Sequence, residues 1–160
     1  MKKSLLLLVL LGLPLWAGVV LDSANPPKIV VAEDAVPVVK FAAQELAYFL
    51  GKALGVNVEQ TAKADGGARI YVGVGPDGRR EEKETYDSHV VVRGDAVYIY
   101  GYDTGEGDAK DLASLMNVQS KGTLEAAYTF LEEYAGVRWL EPGQAGEYVP
   151  SCKTLEIPEM

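Results

Sequence analysis

The feature that most constrains the fold of this chain is its helix content: two stretches carry the apolar spacing of a long amphipathic helix. The first begins near Pro37, a residue suited to an early helical position, and covers about five turns. Its apolar side recurs at three- and four-residue steps through Val36, Val39, Ala43, Leu46, Leu50 and Ala53. The second runs from about Thr123 to Ala135 and is lined by Leu124, Ala127, Tyr128, Leu131 and Tyr134. Two helices therefore have to cover the core.

Local signals predict where these helices begin and end. Glu33 and Asp34 stand where the N-cap and first turn of the first helix would be. Gly55 and Gly136 are placed as C-caps, because glycine adopts the left-handed conformation that ends many helices. A third apolar patch, within the Gly- and Asp-rich loop 103–121, predicts one or two helical turns at Leu112, Leu115 and Met116.

The rest of the chain is dominated by short extended runs. They cover residues 29–32, 56–58, 70–72, 89–93, 96–100, 137–140, 147–149 and 154–157. Gly94 and Asp95 separate two of these runs by a tight turn and predict a hairpin. This order of elements predicts an α+β fold, a two-layer sandwich in which the two main helices pack on one face of a mixed β-sheet, in one domain.

The amino terminus predicts export. Lys2 and Lys3 precede an apolar run from Leu5 to Leu13, and small residues follow at 17–18. We interpret residues 1–18 as a signal peptide, with an uncleaved anchor as the alternative, and expect a secreted or periplasmic protein. The net charge is −8. This charge argues against nucleic acid and, once the leader is removed, against anionic membranes as partners. Cys152 is the only cysteine, so no intramolecular disulfide can form.

Several residue patterns resemble catalytic or binding motifs, and for each we favour an ordinary structural role. The run from Gly73 to Gly78 matches GxGxxG, but the charged residues after it do not form the helix that a dinucleotide site needs, so we predict a loop. His89 is the only histidine and is expected to be half-exposed. Two sets of acidic residues resemble functional sites, the first a cation site and the second a glycosidase pair. For both sets, an ordinary position on the solvated surface is the better explanation. They are Asp103, Glu106, Asp108 and Asp111, and Glu132, Glu133, Glu141 and Glu147.

A family resemblance rests on the segment Gly122–Pro150. Its pattern is a Gly-Thr-Leu start, a Tyr-x-Phe-Leu-Glu helix, a Gly-Val-Arg-Trp strand, then Pro-Gly and Val-Pro. The chain supplies it with Gly122, Thr123, Leu124, Tyr128, Phe130, Leu131, Glu132, Gly136, Val137, Arg138, Trp139, Pro142, Gly143, Val149 and Pro150. The segment resembles the N-terminal domain of bacterial alpha-glucuronidases and their glycosidase-like relatives, and a related zincin-like, non-catalytic domain precedes the barrel of beta-N-acetylhexosaminidases. With weaker landmarks, the resemblance covers about residues 28–150.

The resemblance implies that residues 19–160 form an alpha-glucuronidase-type N-terminal accessory domain. In that family the catalytic acids lie in a following barrel, which needs about 200 residues, and the 160 residues here leave no room for one. We therefore predict a non-catalytic accessory domain, a fragment or a stand-alone relative, whose partner is a glycosidase barrel or a glycan. We predict no catalytic residue, cofactor or metal. A hydrolase acting by itself is the least favoured reading, since no His-Glu-x-x-His motif is present.

The alternative function is a stand-alone carbohydrate-binding module with a Tyr/Trp surface. Tyr98, Tyr100 and Tyr102 alternate along a predicted strand and so share one face, which is either a stacking platform or part of the core. Trp139 is expected to be buried in the core or between domains, and Arg138 to need a carboxylate such as Glu141 if it is half-buried. The candidate interdomain or glycan contacts are Tyr100, Tyr102, Arg138, Trp139 and Glu141.

Overall fold

The computed structural model describes residues 18–64, 66–80 and 87–159, which form nine strands and three helices. The strands are β1 (Gly18–Asp22), β2 (Lys28–Val31), β3 (Glu59–Thr61), β4 (Arg69–Val72), β5 (Ser88–Arg93), β6 (Ala96–Gly101), β7 (Arg138–Trp139), β8 (Glu147–Tyr148) and β9 (Thr154–Pro158). The helices are α1 (Pro37–Leu54), α2 (Leu112–Met116) and α3 (Gly122–Glu133). Both long helices lie where the apolar spacing predicts them.

Five strands form the central sheet in the order β3-β2-β4-β6-β5. The first four are mutually parallel and β5 is antiparallel, so the sheet is mixed. Register places Ile29, Ile70, Val97 and Val92 side by side across β2, β4, β6 and β5. All four are almost completely buried. Because side chains alternate along a strand, this row marks the core face of the sheet.

Both long helices cover that core face. α1 contacts β2, β3 and β4, α3 contacts β5 and β6, and the two helices contact each other. The largest fully buried helical side chains, Phe49, Phe130, Leu46, Leu50, Leu124 and Leu131, fill the space beneath them. The predicted α+β two-layer sandwich, with two main helices on a mixed sheet, is confirmed.

The ends of the helices are predicted in part. Gly55 is the C-cap of α1, as predicted, with φ 67°. Gly136 also has a positive φ, of 66°, but the predicted C-cap there is wrong, because α3 ends at Glu133 and its C-cap is Tyr134. The predicted cap at Glu33 and Asp34 is wrong. The N-cap of α1 is Val36, which has no side-chain cap, and Pro37 follows it. Proline has no N–H to cap, and its fixed φ already suits the first helical turn.

The short strands depart most from prediction. The run predicted at 56–58 becomes β3 three residues later, and the strand predicted at 137–140 is reduced to Arg138–Trp139, which pairs with β8 outside the central sheet. β1 is not predicted at all. It pairs with β9 through Leu21 and Leu155, which are far apart in sequence. The strand was not predicted because its apolar residues directly follow the predicted leader and, in the sequence, resemble a continuation of it.

The predicted signal peptide, residues 1–18, lies outside the described residues except for Gly18, which begins β1. Among the helices that the structure describes, none combines the length and the apolar character needed to cross a membrane.

Candidate functional site

The predicted contact residues Arg138, Trp139 and Glu141 lie on or next to the β7–β8 ribbon, which packs on the outer side of the helices. Trp139 is half-buried and makes two edge-to-face contacts, with Phe49 of α1 at 5.3 Å and with Tyr128 of α3 at 4.9 Å between ring centroids. Such contacts stabilise a position beyond the area that they bury. Trp139 therefore fixes the inner face of the ribbon to both helices, which is the packing role that we expected for it.

The acids near Trp139 are also engaged. The Tyr128 hydroxyl donates to Glu45 Oε2 at 3.0 Å, and Glu147 Oε2 accepts from Lys52 Nζ at 3.1 Å and from the Tyr48 hydroxyl at 3.0 Å. Burial raises the pKa of Glu45, the hydrogen bond from Tyr128 opposes that rise, and the negative charge of Glu147 adds to it. These bonds tie the ribbon to α1 and α1 to α3.

The outer face of the ribbon is open. Arg138 and Tyr148 are opposite one another in the β7–β8 pairing, and Leu140 follows on the same side of the chain, its N–H donating to Gly146 O at 2.8 Å. Leu140 is 77% exposed and Tyr148 is 56% exposed. We call Arg138, Leu140 and Tyr148 the hairpin face. It carries the two most exposed large hydrophobic side chains of the described residues.

Arg138 does not pair with Glu141. Its Nη1 donates to the backbone oxygens of Glu132 at 2.8 Å and Val137 at 2.7 Å, and the residue is exposed. Glu141 is exposed as well. Arg138 thus donates to the Glu132 carbonyl in the last turn of α3, where a positive charge is favourable. No carboxylate is needed because the side chain is not buried.

The predicted contact residue Tyr100 lies on the other side of the molecule, on the sheet face that the helices leave open. Register puts Tyr98 and Tyr100 on that face, as the alternation predicts. The ring of Tyr98 stacks on Tyr71 at 5.0 Å and the ring of Tyr100 stacks on His89 at 4.8 Å. All four residues are half-buried. Each ring already uses one face on a neighbour, so the row does not present a flat platform of free rings.

Three acidic residues of loop 103–121 accept hydrogen bonds from backbone N–H groups, either of the loop itself or of the start of α3. Asp111 accepts from Ala113 N and caps α2, Asp108 accepts from Lys110 N, and Asp103 accepts from Thr123 N at the start of α3. In the part of the chain that the structure describes, no three acids, histidines or cysteines come together in a way that could hold a metal ion.

The GxGxxG match is a loop, as predicted. Gly75 N donates to Arg79 O and Gly78 N donates to Gly75 O, and no helix begins between residues 73 and 80. The charged residues 81–86 lie outside the described residues.

Among the acids of the described residues, Asp103 has the pKa that departs most from its ordinary value. Burial raises its pKa to about 6, although a backbone N–H and a hydroxyl of Thr123 donate to it and oppose the rise. The folded protein therefore binds more protons than the unfolded chain between about pH 4 and pH 6. Within that window, the contribution of Asp103 to the free energy of unfolding falls as the pH rises.

We expect Asp103→Asn to remove this pH dependence while keeping an oxygen that accepts from Thr123 N. In urea denaturation, we compare the free energy of unfolding of the variant with that of the wild type at pH 4.5 and at pH 7. The difference, variant minus wild type, should be larger at pH 7, because the stability of the wild type falls across the window of about pH 4 to 6. A difference that stays constant with pH, or that changes in the other direction, would contradict the assignment.

Comparison with known proteins adds no relative. No protein-family model matches the chain, and no curated protein matches it. The resemblance carried by Gly122–Pro150 stays a prediction.

Proposed function

We propose that this chain is a non-catalytic accessory domain of an exported carbohydrate-degrading system. We further propose that its hairpin face docks against the catalytic barrel of a glycoside hydrolase, in the same polypeptide or in a separate one. The observation that carries the proposal is the exposure of Leu140 and Tyr148 beside the anchored Trp139. These residues belong to the segment whose sequence resembles the accessory domains of such enzymes.

The energetics of the hairpin face favour a protein partner. Complete burial of one leucine side chain is worth about 1.5–3 kcal/mol, and Leu140 is mostly exposed in the isolated domain. The ribbon beneath it is held by the two ring contacts of Trp139 and the Lys52–Glu147 ion pair. A surface that is rigid before binding loses little conformational entropy when a partner covers it. Aromatic residues and arginine are also the side chains enriched at such interfaces.

The chemistry of the acids agrees with a non-catalytic role. A glycosidase pair needs two carboxyl groups about 5–10 Å apart across a sugar-sized cleft. Glu45 and Glu147 are bonded to Tyr128 and Lys52 beneath the ribbon. Neither of them lines the cavities of about 650, 470 and 330 Å³ that the described residues form. Asp103 does line a cavity, and it is the only acid among the described residues of its wall.

We expect the purified chain to hydrolyse neither aryl glycosides nor glucuronoxylan fragments above the buffer rate. Turnover is followed by release of nitrophenol and of reducing ends. The control is Asp103→Asn, which removes the acid with the most raised pKa. Turnover that survives purification and disappears in this variant, or in any other single carboxylate variant, would refute the proposed function.

Docking is tested with a photo-crosslinking amino acid incorporated at position 140 and, as a control, at position 112. Leu112 is also an exposed leucine, 48% accessible, but lies on α2. After irradiation in the native secretome, we expect position 140 to give a crosslink to a glycoside hydrolase that position 112 does not give. If the chain is part of a longer enzyme, the crosslink should be to that enzyme's own barrel.

A variant then measures the strength of the contact. Leu140→Asp should weaken binding of the captured hydrolase at least tenfold, a loss of about 1.4 kcal/mol, because a buried unpaired carboxylate replaces a leucine. Leu112→Asp should leave binding unchanged. Both substitutions are at exposed positions, so the free energy of unfolding should change by no more than about 0.5 kcal/mol. Equal losses for the two variants, or a crosslinked partner that is not a glycoside hydrolase, would overturn the docking proposal.

A further inference from the structure

A cavity of about 650 Å³ opens at the edge of the central sheet where its parallel strands end. From β2, the chain passes through α1 to β3 on one side, whereas β4 pairs on the other side of β2. The order of the strands in the sheet therefore reverses next to β2. In sheets with parallel strands, ligands bind at such a reversal, in the crevice outside the carboxyl ends of the strands. The volume is within the range of about 300–1,000 Å³ that is usual for small-molecule sites.

The cavity walls are mostly apolar and are held by close packing. Val30, Val36, Val39 and Val72 line the cavity together with Tyr71 and Tyr102. Gly73 has φ 80°, and a Cβ there would lie 2.5 Å from Val39 Cγ1. A Cβ on Gly101 would lie 2.2 Å from the backbone oxygen of Asp87. Strand ends that approach their neighbours so closely cannot collapse further, so the cavity is preformed.

Two charged side chains provide the polar contacts of this cavity. Asp103 accepts two hydrogen bonds from Thr123, and a carboxylate has about four acceptor positions, so acceptor capacity remains. The Arg80 Nη2 donates to Asp34 Oδ1 at 3.0 Å, and the guanidinium group has five N–H donors in all. The cavity therefore combines an anchored acceptor and an arginine donor with aliphatic and aromatic walls.

This combination selects a class of ligand. A phosphorylated compound is disfavoured, because Arg80 is the only basic side chain among the described residues that line the cavity, and it is already paired with Asp34. A purely apolar compound would remove water from the acceptor positions of Asp103 that Thr123 does not fill, which is costly. A neutral ring with hydroxyl groups at its edge and C–H groups on its faces satisfies both parts of the wall.

We propose that this cavity binds a neutral saccharide unit, with the tyrosine rings and valines against the C–H face and with Asp103 and Arg80 on the hydroxyl groups. The site is separate from the hairpin face. The choice of a saccharide, rather than another hydroxylated ring, rests on the proposed function. The domain would then hold a sugar at the strand ends while the ribbon holds the hydrolase.

The test is a titration of the ¹⁵N-labelled protein with methyl glycosides of glucose, galactose, xylose and N-acetylglucosamine and with the corresponding β-1,4-linked disaccharides, followed by NMR. We expect at least one probe to shift the amide signals of Gly73, Gly78 and Gly101 saturably. Ala32 and Gly73 both line the cavity, but only Ala32 is exposed. Position 32 is therefore the one at which a larger side chain, in Ala32→Phe, fills the cavity without disturbing the core. This variant should weaken binding at least tenfold.

Two further variants separate the site from its surroundings. Ala24→Phe places the same side chain at an exposed position in the loop before β2, at the opposite end of that strand, and should leave binding unchanged. Asp103→Asn keeps the shape of the cavity but weakens an acceptor, and should reduce affinity several-fold. Absence of saturable shifts at the three glycines with every probe, or equal loss in Ala32→Phe and Ala24→Phe, would overturn the inference.

The outcomes also separate this inference from the docking proposal. If no saccharide binds but position 140 crosslinks to a glycoside hydrolase, the cavity assignment fails and the proposed function stands. If a saccharide binds at the cavity and position 140 captures no hydrolase, the domain is a carbohydrate-binding module and docking through the hairpin face fails.

Discussion

Phe49→Ala should lower the free energy of unfolding by about 3–5 kcal/mol, the largest loss that we expect from one truncation in this fold. Phe49 is 1% exposed and lies on α1 within the hydrophobic core. Its ring also supports Trp139 edge-to-face, so removing it leaves a cavity beneath the ribbon as well as in the core. With a total stability of about 5–15 kcal/mol for a domain, such a loss shifts the urea midpoint severely.

Trp139 reports this change directly, because it is the only tryptophan outside the predicted leader. Its emission should shift to longer wavelength in folded Phe49→Ala as the indole gains contact with water. Tyr48→Ala is the matched control, an aromatic truncation at the neighbouring position of the same helix, where the side chain is 42% exposed. It loses the hydrogen bond to Glu147 and should cost only about 1 kcal/mol. Equal losses for the two variants would contradict the placement of Phe49.

Gly122→Ala should destabilise the domain by about 3 kcal/mol, although alanine is the better helix former by nearly 1 kcal/mol. The added Cβ would lie 2.1 Å from the backbone oxygen of Asp87 and 2.8 Å from Tyr102 N. Three chain segments meet here, since Asp87 O accepts from Tyr102 N and Gly122 N donates to Tyr102 O. No side-chain movement can relieve a clash with backbone. The start of α3 or the end of β6 would have to shift.

Gly105→Ala is the control for this prediction. Its nearest neighbour, Val36 Cγ1, would lie 3.8 Å from the new Cβ, and its backbone is outside the positive-φ region. We expect a change within about 0.5 kcal/mol, measured by urea denaturation under the same conditions. A Gly122→Ala protein as stable as the wild type would mean that the three segments do not converge as described.

The long helices and the β5–β6 hairpin were predictable because the sequence signals for them are local. The apolar side of α1 recurs over a few residues, and the left-handed Gly55 caps that helix directly after Leu54. The β5–β6 hairpin follows from Gly94 and Asp95 in the same way. The cap at Glu33 and Asp34 was wrong for a related reason. Acids before a helix are a statistical signal, whereas Pro37 fixes the start by sterics.

The candidate surfaces were predictable only in part. Trp139 was placed in a packing role, and Tyr98 and Tyr100 on one face, by composition and alternation alone. Of the hairpin face, Arg138 was among the predicted contact residues, but Leu140 and Tyr148 were missed. Leu140 looks like the end of a buried strand. The one available signal was Pro142-Gly143 two residues later, which stops the strand before it can join the sheet. The cavity gave no signal, since Val30, Arg80 and Asp103 are far apart in the chain.

The sequence by itself determined where the two long helices lie, that Gly55 ends the first of them, and hence the two-layer class of the fold. Only the tertiary structure decided that β1 closes against β9, that the Trp139 ribbon lies on the helices rather than in the sheet, and that three strand ends surround a cavity. The physical reason is the distance along the chain over which each kind of interaction acts. Helix periodicity and glycine conformation are properties of a few consecutive residues, whereas strand pairing and burial depend on segments that meet only after the whole chain has folded.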